Sequence, residues 1–107
     1  MSVSTHVLDA ATGTPATGVG LVVVDENGDV VTTAITDEDG RAKELLPGGS
    51  SAGVYTLVFD TGAYFEQAGI ATFYPEVSVT FSVLDVDAHH HVPLLLSPFA
   101  YSTYRGS

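Results

Sequence analysis

The chain has 107 residues, 45% of them hydrophobic, and carries 13 Asp or Glu against three Lys or Arg, for a formal net charge of −10. This length fits a single domain, residues 1–107, with a small core, and the apolar content excludes a disordered chain. The acidic surface excludes nucleic acid and anionic membranes as partners, and the absence of Cys excludes a disulfide frame and thiolate chemistry.

The first residues, MSVSTHVLDAATG, contain neither a basic start nor a long apolar run. We therefore expect neither a secretory signal nor a membrane-spanning segment. A chain without Cys fits a reducing compartment, and we expect a cytoplasmic protein.

The first clear element is a β-hairpin in the segment VGLVVVDENGDVVTTAITDEDGR. Apolar, β-branched runs lie on both sides of Asn27-Gly28, and this dipeptide is typical of a type I′ turn, which needs positive φ at both central residues. Asp39-Gly40 predicts the next turn, after which Arg41 begins the following segment.

A further strand is predicted at residues 53–60, GVYTLVFD. The segment AYFEQA lies between Gly62 and Gly69 and lacks β-branched residues, so we predict one short helix there.

The segment PEVSVTFSVLD alternates between apolar and hydroxyl side chains, which is typical of a half-buried strand. The apolar face carries Val77, Val79, Phe81 and Val83, and the polar face carries Ser78, Thr80 and Ser82. HHHVPLLLS at residues 89–97 is a second strand candidate, in which Pro93 indicates an edge or a bulge, and YSTYR can pair as a last strand. Many short strands separated by turn signals favour a β-sandwich.

The four histidines are the residues best suited to carry chemistry. On a strand, alternation places His89 and His91 on one face and His90 on the other. Three classes of function remain open from spacing alone. His6, His89 and His91 can form a zinc site, a histidine can act as the general base of a hydrolase beside an arginine, or the histidines can be merely structural in a ligand-binding sandwich.

Motifs spread over nearly the whole chain resemble those of a known family. STHVLDAATGTPA, TDEDGR, FDTGAYF, FYPEV and HHHVPLLLSPFAYSTYRGS resemble the 5-hydroxyisourate hydrolases, the transthyretin-related family of urate degradation. The terminal YRGS is the motif that separates these enzymes from the hormone-carrying transthyretins. The resemblance implies an all-β, transthyretin-like β-sandwich of two facing sheets with one short helix. It also implies a homotetramer, built as a dimer of dimers, with active sites where the dimers meet.

The resemblance further implies hydrolysis of 5-hydroxyisourate to 2-oxo-4-hydroxy-4-carboxy-5-ureidoimidazoline, without a metal or an organic cofactor. It assigns His6, Arg41, His91 and Ser107 to catalysis. It assigns His6, Arg41 and Tyr104 to substrate binding.

One position departs from the family pattern. The family usually has His-Tyr-His where this chain has His-His-His, and the changed residue is His90. Because His90 points away from the face of His91, we expect the change to be tolerated. We also expect Arg105 to form a structural contact between subunits.

Two alternatives to the hydrolase remain. A non-catalytic, transthyretin-like protein would bind a small planar ligand in the channel. A zinc-dependent amidohydrolase would lose its activity in a chelator, whereas the cofactor-independent enzyme would not.

Overall fold

The computed structural model describes residues 2–107 as two β-sheets with one short helix. The elements in chain order are β1 (Ser2–Asp9), β2 (Thr14–Pro15), β3 (Gly20–Val24), β4 (Val30–Ile35), β5 (Arg41–Ala42), β6 (Gly53–Phe59), α1 (Thr61–Gln67), β7 (Val77–Val83), β8 (His89–Ser97) and β9 (Ala100–Thr103).

The two sheets differ in how their strands are paired. The first sheet has the order β2–β1–β8–β9, and β5 also pairs with β1. Within it, β1 runs parallel to β8 over its full length, from Ser2 opposite His89 to Asp9 opposite Leu96. The second sheet has the order β4–β3–β6–β7, and all of its pairs are antiparallel.

The two sheets share one hydrophobic core. Alternation along the long inner strands turns side chains toward the other sheet, and the buried cluster draws on both sheets. Its largest fully buried side chains are Phe59, Phe65, Leu45, Leu57, Leu94 and Leu96. The predicted faces of β7 are confirmed, since Val77, Val79 and Val83 are buried, Phe81 is half-buried and the hydroxyl residues between them are exposed. The predicted all-β sandwich of two facing sheets with a short helix is therefore confirmed.

The sequence patterns above do not predict β1 as a strand. Its alternation is nevertheless clear, because Val3, Thr5 and Val7 are buried against the core. The residues between them face away from the core, and His6 lies among these. This strand places the start of the chain beside β8.

The turn at Asn27-Gly28 is not of the predicted type I′. The hairpin itself forms, but Gly28 has a φ of +84° while Asn27 is not among the residues with positive φ. The side chain of Asp25 provides the reason, since its Oδ1 accepts from the backbone N–H groups of Asn27 at 2.9 Å and Asp29 at 3.0 Å. This Asx-type arrangement holds a longer loop and competes with the two-residue turn.

The helix begins two residues earlier than predicted. Asp60 caps it, with Oδ1 accepting from the backbone N–H of Ala63 at 3.3 Å, so that Gly62 lies inside the helix. The hydroxyl of Tyr64 donates to Oδ2 of the buried Asp9 at 2.8 Å, which fastens the helix to β1. Burial first, and then this hydrogen bond, raises the pKa of Tyr64 to about 12. Among residues 2–107, no helix has the length and apolar character needed to cross a membrane.

The prediction that Pro93 marks an edge or a bulge is wrong. β8 is an interior strand, and Pro93 lies opposite His6 of β1. The carbonyl of Pro93 accepts from the hydroxyl of Thr103 at 2.7 Å, so the ring nitrogen faces the same side, toward the chain end. β9 pairs with β8 only from Leu94 onward, and the missing N–H therefore breaks no ladder bond.

Gly40, which precedes Arg41, is expected to be essential for stability. Its φ is +75°, and a Cβ there would overlap the carbonyl oxygen of Val7, whose own N–H donates to the Gly40 carbonyl at 2.7 Å. We expect Gly40→Ala to lower the free energy of unfolding by about 3 kcal/mol or more. Gly13 has the same φ of +75° with nothing within 4 Å of an added Cβ, so Gly13→Ala is expected to cost only about 1–2 kcal/mol. Urea unfolding of both variants measures the difference, and equal losses would contradict the steric argument.

Candidate active site

The parallel pairing of β1 and β8 builds a polar strip on the outer face of the first sheet. Ser2, Ser4 and His6 of β1 lie opposite His89, His91 and Pro93 of β8. On the other side of β1, His6 lies opposite Arg41 of β5. Paired residues project to the same face of a sheet, so three strands place hydroxyl, imidazole and guanidinium groups side by side.

This strip borders an open cleft of about 390 Å³, a size within the range of small-molecule sites. Its walls are polar, and two of the three Lys and Arg residues of this acidic chain belong to them. The lining residues are Ser2, Ser4, Thr5, Arg41, Lys43, Glu44, His89, His91 and Ser107. Such a cleft suits a small polar or anionic ligand with several carbonyl oxygens.

The structure brings most of the predicted site residues to this cleft. Arg41, His91 and Ser107 all line it. His6 does not line the cleft itself but lies between Arg41 and the His91 strand on the same face. Tyr104 lines a second cavity, of about 280 Å³, together with Arg105 and His91. His91 therefore stands between the two cavities, and Tyr104 reaches the region from the opposite side.

Two contacts fix the ring of His91. The hydroxyl of Ser4 lies 2.8 Å from its Nδ1. At the opposite edge the chain end closes over the ring, because Gly106 donates its N–H to the His91 carbonyl at 2.9 Å. A Cβ at Gly106 would lie only 2.5 Å from Cδ2 of His91 and 3.2 Å from Cγ of Pro93. With Nδ1 engaged by Ser4, Nε2 is the ring nitrogen left for a ligand or a water.

A tight turn fixes the backbone of Arg41. Oδ1 of Asp37 accepts from the N–H groups of Asp39 and Arg41, both at 2.9 Å, and Asp37 donates its own N–H to the Arg41 carbonyl at 2.9 Å. The hydrogen bond from Arg41 is the main reason why the pKa of the Asp37 carboxyl lies below its ordinary value. The ionised carboxylate thus holds the turn from which the guanidinium extends.

The surroundings of His91 favour its neutral form. Burial lowers the pKa of His91 below its ordinary value of 6.5, and the positive charge of Arg41 and the neighbouring His89 and His6 lower it further. Hydrogen bonding to the backbone of Ser4 acts in the opposite direction. A neutral imidazole with a free Nε2 can accept a proton near neutral pH, as a general base must.

We expect the pH dependence of kcat/KM to follow this lowered pKa. The rate should be constant above pH 6.5 and fall only at lower pH, as protonation of His91 removes the lone pair of Nε2. Arg41→Gln should move the pKa of His91 upward, which ¹H–¹³C NMR of the histidine Cε1 groups can measure. Since the unfolded chain binds this proton at higher pH than the folded chain, the free energy of unfolding should also decrease as the pH falls through 6.5. A His91 pKa above 6.5 would contradict this account.

A model of the HIUase/Transthyretin family matches residues 3–106. The chain belongs to the HIUase/Transthyretin family. The resemblance drawn from the terminal YRGS and the other motifs is thereby confirmed.

Individual members of the HIUase/Transthyretin family are similar to the chain over nearly its full length. The 5-hydroxyisourate hydrolase of Salmonella dublin is 47% identical over 108 residues, which cover 97% of this chain and 79% of the relative. The solved structure of Klebsiella pneumoniae 5-hydroxyisourate hydrolase superposes with a TM-score of 0.90 at 37% identity, covering 99% of this chain and 93% of that one. Sea bream transthyretin in complex with thyroxine gives a TM-score of 0.89 at 34% identity, with coverages of 97% and 93%.

The middle residue of the His-His-His segment, His90, points into the protein. His90 is buried, with 7% of its surface exposed, and its Nδ1 lies 3.2 Å from the carbonyl of Ala88. His91 and His89 are on the opposite face with nearly parallel rings, 6.2 Å apart between centroids. The predicted division of the three histidines between two faces is confirmed.

Sequence reasoning missed several residues of the cleft, namely Ser2, Ser4, Lys43 and Glu44. The signal for Ser4 was present in the STH motif, because a residue two positions before His6 on a strand must share its face. Glu44 gave no such signal, since its position depends on a left-handed backbone, with a φ of +54°.

The zinc alternative concerned His6, His89 and His91. Within the described part of the chain, no group of three or more His, Cys, Asp or Glu side chains is placed to hold a metal ion. An assay of activity with and without a chelator tests whether the protein depends on zinc.

Proposed function

We propose that this chain hydrolyses 5-hydroxyisourate to 2-oxo-4-hydroxy-4-carboxy-5-ureidoimidazoline, with His91 and His6 activating the water and Arg41 holding the substrate. The prediction that the chain is an enzyme of this class is confirmed by the curated relatives, which are 5-hydroxyisourate hydrolases. The assignment of roles to residues is our proposal. It rests chiefly on one observation, that His91, whose Nδ1 is engaged by Ser4, lines the same cleft as Arg41 and Ser107.

The residue types suit the opening of a cyclic amide. Nε2 of His91 takes a proton from a water whose oxygen attacks the ring carbonyl carbon. Arg41 donates to the substrate oxygens in a forked geometry and stabilises the negative charge that develops on the attacked oxygen. The carbon–nitrogen bond then breaks, and the proton passes to the leaving nitrogen. His6, whose charge lowers the pKa of His91, shares in these transfers.

The chain end completes the site in this proposal. Ser107 lines the cleft and Tyr104 lines the second cavity, so residues of the terminal tetrapeptide flank His91 on two sides. Tyr104 and Ser107 bind the substrate and the attacking water and limit the access of bulk solvent.

The fold does not distinguish this enzyme from a carrier. A 5-hydroxyisourate hydrolase and a thyroxine-bound transthyretin match the chain with TM-scores of 0.90 and 0.89. The polar lining of the cleft, with its histidine, arginine and lysine side chains, favours a small polar heterocycle over an apolar ligand.

The deciding assay generates 5-hydroxyisourate from urate with urate oxidase and follows its ultraviolet decay. We expect the protein to accelerate the decay far above the spontaneous rate, equally with and without a chelator. Decay at the spontaneous rate would contradict the hydrolase and favour a carrier, whereas loss of the acceleration in chelator would favour the zinc enzyme.

We further propose that the active form is a homotetramer, a dimer of dimers, and that it works in the cytoplasm. β9 ends the first sheet and β7 ends the second, and such free edges can pair with a second copy. Light scattering should give the mass of four chains of 11.1 kDa. A monomer that is fully active would contradict the assembly. The lack of Cys fits a reducing compartment, and fractionation of the tagged full-length protein tests the location.

A further inference from the structure

A chain of hydroxyl and imidazole groups runs behind His91. The hydroxyl of Ser4 lies 2.8 Å from Nδ1 of His91 and 3.3 Å from Nε2 of His89. The other nitrogen of His89, Nδ1, is hydrogen-bonded to the hydroxyl of Ser2. Both nitrogens of His89 are thus engaged, and a single hydroxyl bridges two nearly parallel imidazoles.

This chain has two self-consistent directions of hydrogen bonding, because a hydroxyl and a neutral imidazole each donate once and accept once. In the first direction, Nδ1–H of His91 donates to Ser4, and Ser4 donates to Nε2 of His89. Nε2 of His91 then carries a lone pair and is a base. In the second direction every bond is reversed, and Nε2 of His91 carries a hydrogen and is an acid.

We propose that Ser4, His89 and Ser2 form a relay that exchanges the Nδ1 proton of His91 with solvent during turnover. The inference rests on the proposed function. When Nε2 of His91 takes a proton from the attacking water, Nδ1 releases its proton to Ser4, whose own hydroxyl proton passes to Nε2 of His89. His89 releases its Nδ1 proton to Ser2, and Ser2 releases one to solvent.

The second half of the cycle runs the relay backward. Nε2–H of His91 protonates the nitrogen that leaves the substrate, and Nδ1 recovers a proton from Ser4. Ser4 recovers one from Nε2 of His89, while Nδ1 of His89 is reprotonated from Ser2 and solvent. One proton leaves and one enters, so the enzyme returns to its starting state with no net change.

The inner end of the relay is buried, and its outer part reaches solvent. Ser4, at the inner end, has only 7% of its surface exposed, whereas His89 is exposed and Ser2 is half-buried. The relay also keeps His91 neutral at every stage. A positive imidazolium would be costly there, since the half-buried ring lies near Arg41.

The variant that isolates the relay is His89→Gln. A glutamine amide can still hydrogen-bond to Ser4, but it does not readily pass a proton from one side to the other. We expect kcat to fall roughly ten- to a hundredfold with KM within about twofold of the wild type. The solvent isotope effect should change from a curved proton inventory, which indicates several moving protons, to a linear one. A wild-type kcat together with an unchanged inventory would overturn the relay.

Ser4→Ala should give the same loss of kcat, and Ser4→Thr, which keeps the hydroxyl, should recover most of it. The matched control is Thr36→Val, which removes a buried hydroxyl outside the cleft, where Thr36 donates to the Ala16 carbonyl at 2.7 Å. We expect Thr36→Val to lower Tm while kcat stays near that of the wild type. Full activity of a folded Ser4→Ala would contradict the proposal.

A measurement without substrate separates the relay from the proposed function. ¹⁵N NMR of the wild-type protein follows the exchange of the His91 Nδ1 proton with solvent. The relay predicts slower exchange in His89→Gln, and equal exchange rates would overturn it even if the wild type proved inactive on 5-hydroxyisourate.

Discussion

His91→Asn is expected to lower kcat on 5-hydroxyisourate by roughly 10²–10⁴-fold, the range for loss of a general acid–base group. The asparagine amide occupies the place of Cγ and Nδ1, so it can keep the hydrogen bond to Ser4 that now measures 2.8 Å. What it lacks is Nε2, the nitrogen assigned to accept the proton of water. The variant thus removes the proposed base and keeps the hydrogen bond to Ser4.

The ultraviolet decay assay gives kcat, and circular dichroism with thermal unfolding checks the fold. His91 is half-buried on the outer face of the sheet and outside the hydrophobic core, so we expect a nearly unchanged Tm. A kcat within about tenfold of the wild type, in a folded variant, would contradict the role of His91 as base.

Gly106→Ala is expected to lower kcat/KM by about 10²-fold with little loss of stability, since small misplacements in a site can cost this much. The added methyl carbon would lie 2.5 Å from Cδ2 and 3.1 Å from Cγ of His91. The φ of Gly106 is not in the positive region, so the substitution introduces no backbone strain of its own. The clash must push the chain end away from the imidazole, and Ser107 would leave the cleft.

The matched control is Gly48→Ala. Gly48 also lacks a positive φ, and a Cβ there meets nothing within 4 Å. We expect this variant to keep full activity, with a stability change within about 0.5 kcal/mol. If Gly106→Ala retained wild-type kcat/KM while a crystal structure showed the chain end displaced, the chain end would have no part in the reaction.

The sandwich was predictable because its strands carry strong local signals. β7 shows this best, since its apolar and hydroxyl side chains alternate without interruption and one face is buried as expected. The candidate site was predicted on a different basis, since the family motifs name His6, Arg41 and His91 independently of any geometry. The structure brings Arg41 and His91 to one cleft, and the catalytic roles of the three residues stay a prediction.

Side-chain and long-range effects explain what the patterns missed. The side chain of Asp25 accepts backbone hydrogen bonds that change the turn type, and that of Asp60 accepts one that moves the start of the helix. Hydrophobic periodicity does not reveal either hydrogen bond. Pro93 wrongly indicated an edge strand. The sequence does not reveal that β9 begins to pair with β8 only at Leu94, which allows a proline in an interior strand without the loss of a ladder hydrogen bond. The relay partners of His91 depend on a parallel register between β1 and β8, which no local pattern encodes.

Because β1 pairs with β8, the cleft can form only late in the synthesis of the chain. Ser4 and His91 are 87 positions apart, and Gly106 must still follow before the imidazole is fixed. Synthesis must therefore proceed at least through β8 before β1 can form this parallel pairing. Until then the strand that carries His6 exposes an unpaired edge, which makes this the stage most open to aggregation. The cleft and the first sheet both need β8, so a chain truncated before β8 has neither.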